Sequence, residues 1–216
     1  MKYLQACGRF LSEMRRDFQR TGALLPSSRF LARALAEPLR YPRPAWRILE
    51  VGPGTGAVTE EIIRLLRPHD RLDLVEINER FVRMLDERLR AEWRVYRPQI
   101  QLFHCPVEEM PGHSRYDLIV SGLPFNNFAP QQVRGVINVY RRLLVPGGIL
   151  TYFEYSLVRQ LKHPFATRKE KRRLYRVGRI MKELVRHCQI ERKQVLANLP
   201  PAIVRRLRFG TVEAAE

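Results

Sequence analysis

The chain has 216 residues, 45% of them apolar, which is long enough to bury a substantial core in a single domain. No apolar run approaches the roughly 18 residues of a membrane-spanning helix, and the N-terminus has no secretory signal pattern. The net charge of +17 predicts a polyanionic partner, either nucleic acid or an anionic membrane. Three scattered cysteines fit neither a disulfide framework nor a metal site, so we expect a cytoplasmic protein that binds no metal.

The first part of the chain, residues 1–45, predicts an extension of amphipathic helices. Phe10, Met14 and Phe18 recur every four residues among arginines, which predicts a helix over residues 2–20 with one apolar face. A basic amphipathic helix is typical of a membrane interface, and packing on the protein itself is the alternative. A second helix follows, with Ser27 or Ser28 as its N-cap. The side chains that it is predicted to bury are Phe30, Leu31, Ala34 and Leu35.

Residues 46–216 alternate apolar strands with amphipathic helices, which predicts an α/β domain with a doubly wound parallel sheet. The predicted strands are 46–52, 71–77, 100–104, 116–121 and 149–155, the predicted helices are 56–67, 78–93 and 130–144, and Pro146-Gly147-Gly148 is the predicted turn into the fifth strand. Two further strands, near 190–198 and 202–209, are separated only by Leu199-Pro200-Pro201. So short a connection requires an antiparallel hairpin, which closes a mostly parallel sheet.

A glycine motif, Glu50-Val51-Gly52-Pro53-Gly54-Thr55-Gly56, lies between the first predicted strand and its helix. Alternate glycines permit positive φ and leave no Cβ in the path of a ligand at the helix N-terminus. The motif resembles the S-adenosylmethionine (AdoMet) loop of class I methyltransferases rather than the dinucleotide fingerprint. The resemblance implies their Rossmann-like fold and AdoMet as cofactor, with Glu50 orienting the loop or binding the ammonium group. A turn without a ligand is the alternative.

The second predicted strand ends in Glu76, at the position where a nucleotide-type ribose finds a carboxylate. The AdoMet interpretation predicts that Glu76 accepts hydrogen bonds from the ribose hydroxyls and that Ile77 packs on the adenine. A solvated strand end is the alternative for Glu76. The predicted cofactor residues are Glu50, Gly52, Gly54, Thr55, Gly56, Glu76, Ile77, Cys105, Pro106, Val107, Ser121 and Leu123.

After the third predicted strand, Cys105 stands where many methyltransferases have an acidic residue that accepts from the adenine amino group. Adenine recognition is therefore expected to rely on the backbone or on Glu108. Cys105 itself is interpreted as a packed core thiol rather than a nucleophile.

The fourth predicted strand ends in Ser121-Gly122-Leu123-Pro124-Phe125, on the predicted acceptor side, because ligands in such sheets bind beyond the carboxyl ends of the strands. Methyltransferases of exocyclic base nitrogens carry Asn before Leu-Pro-aromatic, where the amide accepts from the planar amine. This chain has Gly122 at that position. Asn126 or Asn127 would replace the missing amide only after a shift of several residues.

Three stretches are similar to the bacterial phospholipid N-methyltransferases: Thr21-Gly22-Ala23, Ser121-Gly122-Leu123-Pro124-Phe125 and Asn198-Leu199-Pro200-Pro201-Ala202. The resemblance covers about residues 10–209. It implies methyl transfer from AdoMet to the headgroup amine of phosphatidylethanolamine or ornithine lipid, by a peripheral protein of the inner membrane that we expect to be monomeric. Candidate catalytic and headgroup residues are Tyr3, Phe125, Tyr152, Glu154 and Tyr155, since aromatic rings attract a methylated ammonium and a carboxylate accepts a proton. A core role is the alternative for Phe125 and Tyr152.

The segment 159–193 carries thirteen Lys or Arg residues against three Glu, so it is the most basic part of the chain. Its helical part, 168–187, has an apolar face, which predicts either a membrane-surface helix or a helix packed on the sheet. Two other functions remain open from sequence. One is an RNA adenine N-methyltransferase, which the charge favours and Gly122 opposes. The other is a non-catalytic basic module, which the intact glycine motif opposes.

Overall fold

A computed structural model describes residues 28–110, 115–155, 167–198 and 200–210. The helix predicted over 2–20, with Tyr3 and the Thr21-Gly22-Ala23 stretch, lies outside the described residues. So do Leu199 and the beginning of the basic segment, residues 159–166.

The described strands form one seven-stranded sheet in the order β3-β2-β1-β4-β5-β7-β6. They are β1 Arg47–Val51, β2 Arg71–Val75, β3 Ile100–Phe103, β4 Tyr116–Ser121, β5 Leu144–Tyr155, β6 Gln189–Val195 and β7 Ala202–Arg208. Strands β1 to β5 pair in parallel, whereas β7 runs antiparallel to both β5 and β6. The predicted parallel sheet with a C-terminal antiparallel hairpin is confirmed.

Five α-helices flank this sheet in the described part of the chain. They are α1 Arg29–Ala36, α2 Ala57–Ile63, α3 Glu79–Arg90, α4 Pro130–Leu143 and α5 Arg168–Cys188. Short 3-10 turns connect some elements, and the one that matters below is Phe125–Asn127, after β4. Helix α2 ends earlier than predicted, because the chain tightens after it and the Leu65 N–H donates to the Ile62 carbonyl at 2.9 Å. None of these helices is long and apolar enough to cross a membrane.

Two local predictions were wrong. Strand β5 already begins at Leu144, so the predicted turn at Pro146-Gly147-Gly148 lies inside the strand. It forms an irregularity there, at which the register with β4 shifts and Gly147 has φ of 80°. Phe30 is 43% exposed rather than buried, because it lies beside the apolar face of α1 and stacks against the Arg29 guanidinium 5.0 Å from its ring centroid.

The core lies on both faces of the sheet. One cluster joins the sheet to α4 and α5, and the other joins it to α1, α2 and α3. Successive side chains of a strand point to opposite faces, so β5 contributes to both. Leu150 and Tyr152 belong to the α4–α5 side, whereas Phe153 and Tyr155 pack on the other side.

The N-terminus of α1 is tied to the turn of the C-terminal hairpin. Ser28 caps α1, since its hydroxyl accepts from the Leu31 N–H at 3.3 Å, and its own N–H donates to Asn198 Oδ1 at 3.1 Å. Asn198 also donates to the Pro200 carbonyl at 2.7 Å. Strand β6 ends at Val195, earlier than predicted, because the chain turns there and the Asn198 N–H donates to the Val195 carbonyl at 3.4 Å.

A buried ion cluster fixes α1 to the same hairpin. Arg206 is 3% exposed, donates to the Ala34 carbonyl at 3.1 Å, and forms ion pairs with Glu37 and Glu191. Lys193 contacts the Glu37 carboxylate at 2.7 Å. Burial opposes ionisation of Glu37, but the hydrogen bonds from Lys193 and Arg206 outweigh it and hold the pKa of Glu37 below its usual range.

A second buried pair lies at the entry to β1. Asp70 is fully buried and accepts two hydrogen bonds from the Arg43 guanidinium, at 2.7 and 2.6 Å. It also accepts from the backbone N–H groups of Trp46 at 2.8 Å and Arg67 at 2.7 Å. Burial raises the cost of its charge, yet these four donors outweigh burial and lower the pKa of Asp70.

Candidate active site

The glycine motif forms a tight loop from the end of β1 to the start of α2. Gly52, Gly54 and Gly56 have φ of 71°, 62° and 82°, as the alternate spacing predicted. The Gly52 N–H donates to the Val75 carbonyl at 2.9 Å, which holds the loop against the end of β2. A Cβ on Gly56 would lie 2.8 Å from the Trp93 ring, so this position has no room for a side chain.

Glu76 lies directly beneath this loop and is 6% exposed. One carboxylate oxygen accepts from the Gly54 N–H at 3.1 Å and the other from the Asn78 N–H at 2.9 Å. A carboxylate offers about four acceptor positions, so two remain for a ligand. The alternative of a solvated strand end for Glu76 is therefore wrong.

Glu50 is more deeply placed, at 2% exposure, and accepts from the Thr59 hydroxyl at 2.7 Å. Burial raises the pKa of Glu50 to about 8, the bond from Thr59 opposes this rise, and the nearby Glu76 adds to it. A cation placed beside Glu50 would restore its ionised form. Thr59 was not predicted from sequence, and its position in the first turn of α2, facing the end of β1, was the available signal.

The predicted adenine side is less polar. Val107 is buried in the core, Cys105 is half-buried against the same cluster, and Ile77 is partly exposed at the end of β2. Burial, and then the charge of Glu109, raises the pKa of the Cys105 thiol. A thiol with a raised pKa is a poor nucleophile, which favours its interpretation as a packed core residue.

The loop after β4 lies against the glycine loop. The Gly122 N–H donates to the Val51 carbonyl at 2.8 Å, and a Cβ on Gly122 would lie 2.6 Å from the Gly52 carbonyl oxygen. Leu123 covers the other side, since its Cδ2 would lie 3.1 Å from a Cβ on Gly52. The Ser121 hydroxyl is buried 2.9 Å from the Tyr140 hydroxyl, so its side chain fixes the loop and leaves only the backbone for a ligand.

Comparison with known proteins agrees with this geometry. Residues 48–148 match the family model described as a methyltransferase domain. The chain is 28% identical over 141 residues to the ornithine lipid N-methyltransferase of Singulisphaera acidiphila. This alignment covers 64% of this chain and 72% of that protein. The chain is also 32% identical over 90 residues to ribosomal RNA small subunit methyltransferase A of Burkholderia multivorans. This second alignment covers 41% of this chain and 33% of that protein.

Among solved structures, the O-methyltransferase TomG of Streptomyces achromogenes in complex with SAM has a TM-score of 0.62 at 19% identity. The alignment covers 93% of this chain and 90% of TomG. The described residues have the class I methyltransferase fold. The predicted fold is confirmed by the sheet order and by the similarity to this solved structure.

The matched methyltransferase model and the SAM-bound neighbour indicate AdoMet as the cofactor, and the described residues fit it. Glu76 is a buried carboxylate with free acceptor positions for a ribose diol, and Glu50 is a buried acid that an ammonium group would ionise. The glycine loop and Gly122 leave the space between them without side chains. The prediction of AdoMet as cofactor is confirmed, whereas the contact of each predicted cofactor residue with AdoMet stays a prediction.

The predicted acceptor residues that the structure describes fall on two faces of the sheet. Phe125 and Tyr152 are buried, with ring centroids 5.7 Å apart in an edge-to-face arrangement, which favours the packing role left open from sequence. Glu154 is half-buried on the same face and accepts from the Tyr152 hydroxyl at 3.2 Å. Tyr155 lies on the opposite face, edge-to-face with Phe153 at 5.1 Å, so the structure separates it from Glu154.

Two arginines near this site were not predicted as functional residues. Arg205 lies beside Tyr152 on the neighbouring strand, and its Nε is 3.6 Å from the Glu154 carboxylate. Arg173 of α5 donates to the carbonyls of Asn126 and Phe128 in the loop after β4. Both contacts join residues more than forty positions apart in sequence, so no local pattern in the chain points to them.

Helix α5 resolves the question that the basic segment left open. Its apolar residues Val177, Met181 and Leu184 are buried in the α4–α5 core cluster. The apolar face of this helix therefore packs on the protein's own core and is not available for insertion into a membrane. The cations on the opposite face are exposed: Arg168, Lys169, Arg172, Arg176, Arg179, Lys182 and Arg186.

Proposed function

We propose that this protein transfers methyl groups from AdoMet to the amine in the headgroup of a membrane lipid, phosphatidylethanolamine or ornithine lipid. The observation that carries the proposal is the close approach of Gly122 to the glycine loop. With only 2.6 Å between a Cβ at residue 122 and the Gly52 oxygen, the loop has no room for the amide that reads a planar nucleobase amine. An amine on a flexible headgroup does not need that planar recognition.

The similarity to the Singulisphaera ornithine lipid N-methyltransferase supports the lipid substrate. So does the resemblance of the Ser121–Phe125 and Asn198–Ala202 stretches to the phospholipid N-methyltransferases. The second of these stretches holds the N-terminus of α1 through the contact of Asn198 with Ser28. The resemblance therefore includes Asn198, a residue that holds the N-terminus of α1 in this structure.

In the proposed reaction, AdoMet supplies an electrophilic methyl group when it is bound. Glu76 and the backbone of the glycine loop would hold and orient it, and Glu50 would pair with its ammonium group. The acceptor amine must lose a proton before its lone pair is free. We assign to Glu154 the roles of orienting the amine and accepting that proton, and its position at the carboxyl end of β5, on the same face as Phe125 and Tyr152, supports this assignment.

The outer face of α5 supports a membrane location for the reaction. Arg172, Arg176 and Arg179 surround the exposed Tyr175 along a shallow groove, and we call these four residues the basic patch. Some arginines elsewhere pair with a carboxylate, as Arg43 and Arg206 do, whereas none of the three patch arginines forms an ion pair within the described residues. Their charge is therefore available for anionic lipid headgroups, each contributing about 1 kcal/mol near such a surface.

The substrate is tested by incubating the protein with methyl-labelled AdoMet, total bacterial lipid and total RNA, followed by phase extraction. Label in the organic phase, resolved by headgroup, is the expected result and names the aminolipid. Label in the RNA fraction would overturn the lipid proposal in favour of an RNA adenine methyltransferase. The Glu76→Ala variant serves as the control for AdoMet-dependent labelling.

The membrane surface is tested by reversing the basic patch, with Arg172, Arg176 and Arg179 all changed to Glu. Loss of about 3 kcal/mol of attraction predicts at least a hundredfold weaker partition onto vesicles that contain phosphatidylglycerol. The matched control makes the same change in net charge on α3, at its exposed residues Arg80, Arg83 and Arg90. Equal weakening by both variants would mean that net charge alone, and not the patch, directs binding.

A further inference from the structure

The inner side of α5 makes a contact that its outer charge does not explain. Arg173 lies next to Arg172 in sequence but faces inward, where its Nη1 donates to the Asn126 carbonyl at 2.9 Å and to the Phe128 carbonyl at 3.2 Å. Its guanidinium is half-buried, and burial lowers the pKa of Arg173 while Glu170 opposes the shift. Partial burial of a charge is unfavourable unless hydrogen bonds offset it, and these two bonds therefore stabilise the inward position of Arg173.

The two carbonyls belong to the 3-10 turn Phe125–Asn127 and the residue after it, in the second half of the loop that follows β4. The first half of this loop is held by other elements: Gly122 donates to Val51 of β1, and Ser121 contacts Tyr140 of α4. Within the turn, the Asn127 N–H donates to Pro124 at 2.9 Å and the Phe128 N–H to Phe125 at 3.1 Å. These bonds shape the turn but do not fix it to the rest of the domain.

The position of the turn decides the position of Phe125. That ring packs edge-to-face on Tyr152, whose hydroxyl donates to Glu154. Val177, one helical turn after Arg173, is buried in the same cluster as Phe125 and Tyr152. Helix α5 thus contacts the turn through both a hydrogen-bonded cation and an apolar surface.

We propose that Arg173 is a positioning residue that holds the Phe125–Phe128 turn, and with it the Phe125 wall of the acceptor site, in place for methyl transfer. The acceptor role of this wall rests on the proposed function. The anchoring of the turn by Arg173 rests only on the hydrogen bonds and packing described above. Arg173 acts through the turn and contacts neither the AdoMet loop nor Glu154 among the described residues.

The first test measures hydrogen exchange by mass spectrometry in peptides that cover residues 122–129. In Arg173→Ala, we expect exchange at Asn127 and Phe128 to accelerate by about tenfold, since the turn loses two hydrogen bonds to a charged donor. Arg186→Ala is the matched control, because it removes an exposed arginine from the same helix. Unchanged exchange in a folded Arg173→Ala protein would overturn the proposal.

The second test separates positioning from general loss of structure. We expect kcat/KM for the lipid acceptor to fall about tenfold in Arg173→Ala, while the Kd for AdoMet by calorimetry stays within about twofold of wild type. Arg173→Lys keeps the charge and one donor direction, so it should recover part of both the exchange protection and the activity. An equal loss of AdoMet affinity would show a structural role and overturn the positioning role. If the wild type methylates no lipid, the proposed function fails, and faster exchange still supports the anchoring of the turn by Arg173.

Discussion

Replacement of Glu76 by alanine is the sharpest test of the cofactor site. The Glu76 carboxylate is buried and accepts from the N–H groups of Gly54 and Asn78 at 3.1 and 2.9 Å, which leaves two acceptor positions for the ribose hydroxyls. A hydrogen bond to a charged group contributes about 1.5–3 kcal/mol. Loss of one such bond therefore raises the Kd for AdoMet by roughly ten- to a hundredfold, and loss of both raises it further.

The same substitution also affects stability, and the two effects must be separated. Alanine leaves the buried Gly54 N–H without its acceptor, which costs about 1–3 kcal/mol of unfolding free energy. Calorimetric titration with AdoMet should therefore be run well below the Tm found by circular dichroism. Glu79→Ala is the control, since Glu79 lies three residues away, is exposed and pairs only with Arg83 in the described ion pairs. Wild-type affinity in folded Glu76→Ala would refute the assignment of the ribose site.

Three further results are expected. Gly122→Ala should lower both the affinity for AdoMet and the Tm, because the new Cβ would lie 2.6 Å from a backbone oxygen. Gly135→Ala is the comparison, since Gly135 lies in a helix with open space around it, and it should stabilise the protein by about 0.5–1 kcal/mol. Similar Tm shifts for both variants would contradict the close approach of Gly122 to the glycine loop. Asp70→Ala should cost about 3–5 kcal/mol in urea unfolding, because it leaves the Arg43 charge buried and unpaired. The pKa of Glu37 is lowered from 4.5 in the folded state, so the contribution of its carboxylate to the free energy of unfolding is complete above pH 4.5 and is lost as the pH falls through the folded-state pKa. In Glu37→Gln, the loss of stability at acid pH should therefore be smaller than in the wild type. An unchanged dependence of stability on pH would contradict this.

The order and direction of the strands could be predicted from sequence, because they depend on short-range patterns. Alternating strands and helices require a parallel sheet. The predicted connection between β6 and β7 has only three residues, and so short a connection permits only an antiparallel pair. The glycine loop and Glu76 are equally local, since they occupy the ends of consecutive strands and meet wherever such strands pair in parallel. These features needed no knowledge of side-chain packing.

Whether a side chain is available to a ligand was decided by the tertiary structure. The apolar stripe of α5 has the same pattern whether it faces a membrane or a sheet, and only the burial of Val177 and Met181 distinguishes the two. Tyr152 and Tyr155 are close in sequence, yet the pleat of β5 sends them to opposite faces.

The sequence alone determined the fold class, the AdoMet loop and the carboxylate beneath it, because spacing along a strand or a turn dictates those positions. Tertiary structure decided that Gly122 is pressed against the glycine loop and that Arg173 of α5 reaches the Phe125–Asn127 turn. Both facts depend on contacts between segments tens of residues apart, whose distance is set by how the whole sheet and its helices pack.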